Sequence, residues 1–162
     1  MAGDVTRGDR AAALFRAGFA AQRSGDVRRA IRFYTLSLED RPTAEAYTFR
    51  GWAYSALRRW DDAIADCRKA IELAPDRGHA YNDLGAYLIE QGKPDEAVSW
   101  LERALAAPNY DARVYPHFNL GRIYEARGEL LRAAASYRSA LGERPDFGPA
   151  REALGEIEDR LQ

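Results

Sequence analysis

The 162 residues predict an all-α fold built from a repeated pair of helices. Three observations carry that expectation. Apolar residues recur with helical spacing, as in Tyr81, Leu84, Gly85 and Leu88, then Ala97, Val98, Leu101, Ala104 and Leu105. Gly18, Gly51, Gly85, Gly121 and Gly155 are separated by 33, 34, 36 and 34 residues. Ala30, Ala63, Ala97 and Ala133 each follow a glycine of that series by 12 residues, and Pro42, Pro75 and Pro145 follow theirs by 24. Alanine, leucine, arginine and glutamate dominate the composition, and all four are good helix formers.

Taken in order, the polar start over residues 1–9 is expected to be disordered, ahead of a single domain over 10–162. Repeat one (11–43) holds helices near 10–24 and 27–40, and repeat two (44–77) holds helices near 44–57 and 60–73. Repeat three (78–112) holds 78–91 and 94–106; Gln91-Gly92 ends the first, and Pro94 suits the first turn of the second. Repeat four (113–146) holds 113–127 and 130–142 around Gly128. Arg58 stands where a turn glycine is expected, so that turn is expected to find another conformation. AAPNYDARVYP lengthens the period by two residues and reads as a longer turn. The segment 147–161, FGPAREALGEIEDRL, reads as a polar capping helix and a true C-terminal end, whereas the N-terminal unit carries no such capping helix, which makes its first helix a candidate partner-facing edge.

A glycine inside a helix costs about 1 kcal/mol against alanine. Five of them are tolerable only if close packing returns more, so the glycines and alanines are expected to face each other across antiparallel helices. A Gly85→Leu change is then expected to wedge two helices apart.

The repeated motif resembles the tetratricopeptide repeat, whose pattern is W-x₂-L-G-x₂-Y, then A-x₃-F, then P, over 34 residues. Its first part is matched by Leu14, Ala17, Gly18 and Ala21; by Tyr47, Arg50, Gly51 and Tyr54; by Tyr81, Leu84, Gly85 and Leu88; and by His117, Leu120, Gly121 and Tyr124. The second is matched by Ala30 and Tyr34, Ala63 and Cys67, Ala97 and Leu101, and Ala133 and Tyr137. Arg50 departs from the pattern, taking the place of leucine. The resemblance implies a right-handed superhelical solenoid of four repeats plus the capping helix, acting by binding a protein or peptide along its concave face.

No chemistry competes with that reading. The net charge of −1 recommends neither nucleic acid nor an anionic membrane, and no apolar run is long enough to span a bilayer. His117 takes a core aromatic position and is expected to be packed; His79 starts a helix. Cys67, the single cysteine, replaces the aromatic of A-x₃-F and is expected to be small and buried. Asp61-Asp62 and Asp95-Glu96 suit the first turns of helices. No catalytic residue, metal site or cofactor is expected, and the polar N-terminus without a secretory signal points to the cytoplasm.

In the family the first helix of each pair lines the groove. Counting away from the buried stripe gives Phe15, Phe19, Thr48, Trp52, Asn82, Phe118 and Arg122 as the peptide-binding residues. Asn82 is suited to bond a peptide backbone and Arg122 to pair a carboxylate. The lysine, asparagine and arginine clamp that some family members use for chaperone C-termini is not recognisable. The leading expectation is therefore a scaffold or adaptor with an aromatic groove. The alternative is a self-associating structural protein, a homo-oligomer joined through Phe33 and Trp100 or through an open N-terminal edge.

Overall fold

The computed structural model describes residues 6–162. They form nine α-helices and no strand. The chain divides between Pro75 and Asp76 into two compact units.

The first unit holds α1 (Arg7–Arg23), α2 (Val27–Asp40), α3 (Ala44–Ala56) and α4 (Trp60–Leu73). Helix α1 begins three residues earlier than its apolar pattern suggests. Thr6 caps it: its hydroxyl accepts from the Asp9 backbone N–H at 3.1 Å, and the Asp9 carboxylate accepts from the Thr6 backbone. Residues 7–9 are thus helical, against the expected disorder, and residues 1–5 lie outside the described part. Asp26 and Thr43 cap α2 and α3 in the same way, each accepting a backbone N–H at 3.1 Å. The core comprises Ala21, Ala30, Tyr34 and Ala53, with Phe15, Ile31 and Phe49 packed against it.

The second unit holds α5 (Gly78–Glu90), α6 (Pro94–Ala106), α7 (Val114–Ala126), α8 (Leu130–Glu143) and α9 (Gly148–Arg160). Its core comprises Leu84, Leu101, Ile123, Tyr137 and Ile157, each at most 1% exposed.

The glycines do meet the partner helix, and the expected alanine is among the neighbours at Gly51 (Ala63 O, 3.5 Å) and Gly85 (Ala97 O, 3.4 Å), but at Gly18, Gly85 and Gly121 the tightest neighbour is a larger residue. Gly121 faces Tyr137, not Ala133: a Cβ there would lie 2.4 Å from the tyrosine ring. Gly18 faces Tyr34, and Gly85 faces Leu101, both at 2.7 Å. The glycine is the socket for the large residue of A-x₃-F, four positions beyond the alanine. At Gly51 that residue is Cys67, and a Cβ would meet only ordinary contacts, the nearest at 3.5 Å. Gly155 breaks the series. It is exposed, and a Cβ there would meet nothing within 4 Å.

Three turns use glycine with positive φ: Gly25 (84°), Gly92 (76°) and Gly128 (75°). Arg58 does not find another conformation; it adopts the same left-handed geometry at φ 57°, at the steric cost of its Cβ. The register of the repeat overrides local preference there. Around it, the backbone N–H of Arg59 bonds the Tyr54 carbonyl at 3.0 Å, as Lys93 and Glu129 do to Leu88 and Tyr124.

The lengthened segment between α6 and α7 is an ordered support rather than a slack turn. Tyr110 is buried against Gly78, where a Cβ would approach its ring to 2.3 Å. The Asn109 backbone N–H donates to the Asp76 carbonyl at 3.0 Å, and its side-chain amide donates to the Asp76 carboxylate. Arg77 and Asn109 form one isolated parallel bridge.

Candidate interaction surface

In the first unit, α1 contributes Phe15 and Phe19, and α3 contributes Thr48, Phe49 and Trp52. Phe49 is the hub. Its ring lies 5.2 Å from Phe15 and 5.7 Å from Phe19, both edge-on, and 4.6 Å from Trp52. Edge-on and tilted pairs at these separations are the favoured aromatic geometry. Phe15 also meets Tyr34 at 5.5 Å and is half-buried, so it closes the core beneath the surface and is not the free anchor its position suggested. Phe19 and Trp52 stay open, 40% and 36% exposed. Thr48 is half-buried and its hydroxyl donates to the Ala44 carbonyl at 2.8 Å within its own helix. The Arg23 guanidinium lies 5.8 Å from the Phe19 ring.

The second unit has polar groups between its own first helices, α5 and α7. Asn119 donates its side-chain N–H to the Asn82 side-chain oxygen Oδ1 at 3.2 Å, and both residues are buried. Arg122 donates to the Asn119 side-chain oxygen at 3.4 Å and to Glu90 at 3.2 Å. Asn82 and Arg122, expected to greet a peptide, are thus tied into a network spanning α5 and α7. Phe118 is half-buried against Tyr137 (5.7 Å) and Phe147 (5.3 Å), where it seats the start of α9. Glu125 accepts from the Tyr137 hydroxyl at 2.8 Å and from Arg160 at 3.2 Å, tying α9 to α7.

Phe49 and Asn119 were missed by sequence reasoning, and for one reason. Each sits two residues before its repeat glycine, while Phe15 and Asn82 sit three before theirs. The structure pairs these positions across successive first helices, Phe15 with Phe49 and Asn82 with Asn119. Counting along one helix follows one face; this seam is a diagonal between two. A usable signal was the i, i+3 spacing of Phe49 and Trp52.

The residues weighed for self-association are half-buried as well. Trp100 stacks on Tyr81 at 6.2 Å with the Arg103 guanidinium 4.5 Å from its ring, and Arg29 lies 5.4 Å from the Phe33 ring. Cys67 is buried, as its motif position implies. His117 is half-buried, and burial lowers its imidazole below the ordinary value. His79 is open, edge-on to Tyr110 at 4.9 Å and 3.8 Å from Asp111.

Arg50 explains its own departure from the motif. Its guanidinium donates to both Asp66 carboxylate oxygens at 2.8 and 2.7 Å and to the Thr35 hydroxyl at 3.1 Å. Tyr47 and Tyr54 flank it at 5.6 Å each. Burial pushes the Asp66 carboxyl upward, and the hydrogen bonds and charge of Arg50 oppose that shift.

Among the described residues, no three His, Cys, Asp or Glu side chains are grouped to hold a metal ion. No helix there is long and apolar enough to cross a membrane.

Comparison with known proteins follows the same lines. Two family models described as tetratricopeptide repeat match residues 42–109 and 116–161. Sperm-associated antigen 1 of Rattus norvegicus is 42% identical over 84 residues, covering 52% of this chain and 9% of that protein. Small glutamine-rich tetratricopeptide repeat-containing protein 2 of Saccharomyces cerevisiae is 28% identical over 145 residues, covering 81% of this chain and 42% of that one. The chain therefore spans less than half the length of either curated relative. A crystal structure of MamA superposes with a TM-score of 0.80 at 25% identity, covering 94% of this chain and 82% of that chain.

Proposed function

The chain belongs to the tetratricopeptide repeat family, and from that premise we propose that it is a non-catalytic scaffold or adaptor whose first unit captures an apolar segment of a partner protein. Members of this family are generally protein-interaction modules, and repeat folds present extended surfaces for that purpose. The observation that carries the finer reading is the open pair Phe19 and Trp52, joined through Phe49. Rigid aromatic side chains contribute large contact area at small entropic cost, and clustered exposed ones mark interaction sites. The hub beneath them is already packed, so binding need not order it first. The Asn82–Asn119–Arg122–Glu90 network is read as the support of the second unit's helices, with Arg122 and Glu90, both partly exposed, able to exchange their pairing for a partner's charges.

The test is selection of dodecapeptides from a random display library on the purified chain, followed by calorimetric titration of the winners. Apolar or aromatic peptides should emerge, and Phe19→Ala with Trp52→Ala should abolish their binding while circular dichroism stays unchanged. Winners that bind the double variant equally well would remove this surface.

A further inference from the structure

A second concavity opens on the first unit, lined by Arg28, Ile31 and Arg32 of α2, Leu57 at the end of α3 and Arg59 before α4. Its volume is about 460 Å³. None of these residues belongs to the aromatic surface. Ile31 and Leu57 are half-buried and make an apolar floor, while Arg28, Arg32 and Arg59 are exposed at the rim. Arg28 and Arg32 are one helical turn apart, which sets them side by side on α2. Arg59 is held by Asp62 at 2.8 Å and lies 4.7 Å from the Tyr54 ring. Among the described residues, Arg28 and Arg32 make no ion pair with this chain's own carboxylates, in contrast to Arg10, Arg50 and Arg59. The unit around them is basic: residues 1–75 hold 13 Lys and Arg against 10 Asp and Glu, a net +3. Residues 76–162 hold 11 against 15, a net −4, so the excess positive charge is local to this unit.

We infer that this concavity docks an acidic protein segment carrying an aliphatic anchor, with its carboxylates on Arg28 and Arg32 and its leucine-like side chain on Ile31 and Leu57. Charge complementarity chooses the occupant. Two forked guanidiniums without ion-pair partners among the described residues match carboxylates bidentately. The apolar floor between them rewards a branched side chain, which a bare anion lacks. The inference is independent of the aromatic surface, since it uses other residues and another ligand chemistry.

The probe is a fluorescein-labelled, amide-capped hexapeptide, Glu-Leu-Glu-Glu-Leu-Glu, titrated by anisotropy into the full chain at moderate ionic strength. Saturable binding is expected, weakening with added salt as screening requires. Arg28→Ala with Arg32→Ala, both exposed helix positions, should weaken it by at least about tenfold, the scale of one lost charge-assisted hydrogen bond. Phe19→Ala with Trp52→Ala should leave it unchanged, which separates this site from the one proposed above. A peptide with glutamine for glutamate, and one with serine for leucine, should each bind poorly. Absence of saturable binding, equal binding by the arginine variant, equal binding of the serine peptide, or full competition by inorganic phosphate would each overturn the inference.

Discussion

Arg50 holds Asp66 through two parallel N–H···O bonds of 2.8 and 2.7 Å, in a place where the repeat motif ordinarily puts leucine beside an aromatic. Asp66 is 4% exposed. The pair is a polar replacement for an apolar contact. Breaking one half strands a buried charge. Arg50→Leu alone should cost about 3–5 kcal/mol in urea unfolding, whereas Arg50→Leu with Asp66→Leu should recover most of the loss. The sign of its pH dependence follows from burial. With Arg50 gone, the Asp66 carboxyl is raised without opposition, the folded state binds the extra proton, and the single variant regains stability as the pH falls. Equal stability of single and double variants would show that the pair is not coupled.

Gly121 and Gly51 occupy the same motif position with opposite constraints. A Cβ at Gly121 would lie 2.4 Å from the Tyr137 ring, which cannot slide freely because its hydroxyl is bonded to Glu125. Gly121→Ala should destabilise by about 1–3 kcal/mol through overpacking. At Gly51 the nearest atom would be 3.5 Å away, so Gly51→Ala should be neutral or stabilising by up to about 1 kcal/mol from helix propensity. Thermal melts of the two variants check the contrast.

Arg58 carries a side chain at φ 57° where the other turns use glycine. Arg58→Gly should stabilise the first unit by about 1 kcal/mol, the left-handed penalty of a Cβ less the entropy that glycine adds to the unfolded chain. The denaturant midpoint should rise with the slope unchanged.

His117 has its imidazole lowered by burial, with nearby Arg113 acting in the same direction and Glu143 against it. The unfolded chain therefore takes up the proton first. Stability should be full above the ordinary value of 6.5 and should fall as the pH drops through it toward the lower folded value. His117→Phe should flatten that part of the profile, measured by urea midpoints across the range. An unchanged profile would assign the dependence to other groups.

The architecture was legible in the sequence because periodicity is redundant. Each helix carries several apolar residues at 3.6-residue spacing, and the pair recurs four times, so no single substitution obscures it. The helix ends agree with their signals to within a residue at most positions, since Thr43, Pro94 and Gly128 act locally. The surface was less legible. Phe19 and Trp52 are exposed, as the face of one helix implies, whereas Phe15 packs on the core and Asn82 belongs to a buried network, because those contacts come from a second helix.

The sequence by itself determined the repeat, the all-α class and the positions of the repeat glycines, because these depend on spacing along one chain. Tertiary structure alone decided what fills each socket, why Arg50 is tolerated, and which seam residues touch. Those outcomes rest on side chains from different helices meeting at distances near van der Waals contact, and one residue of offset between facing helices exchanges a solvent-facing group for a buried one.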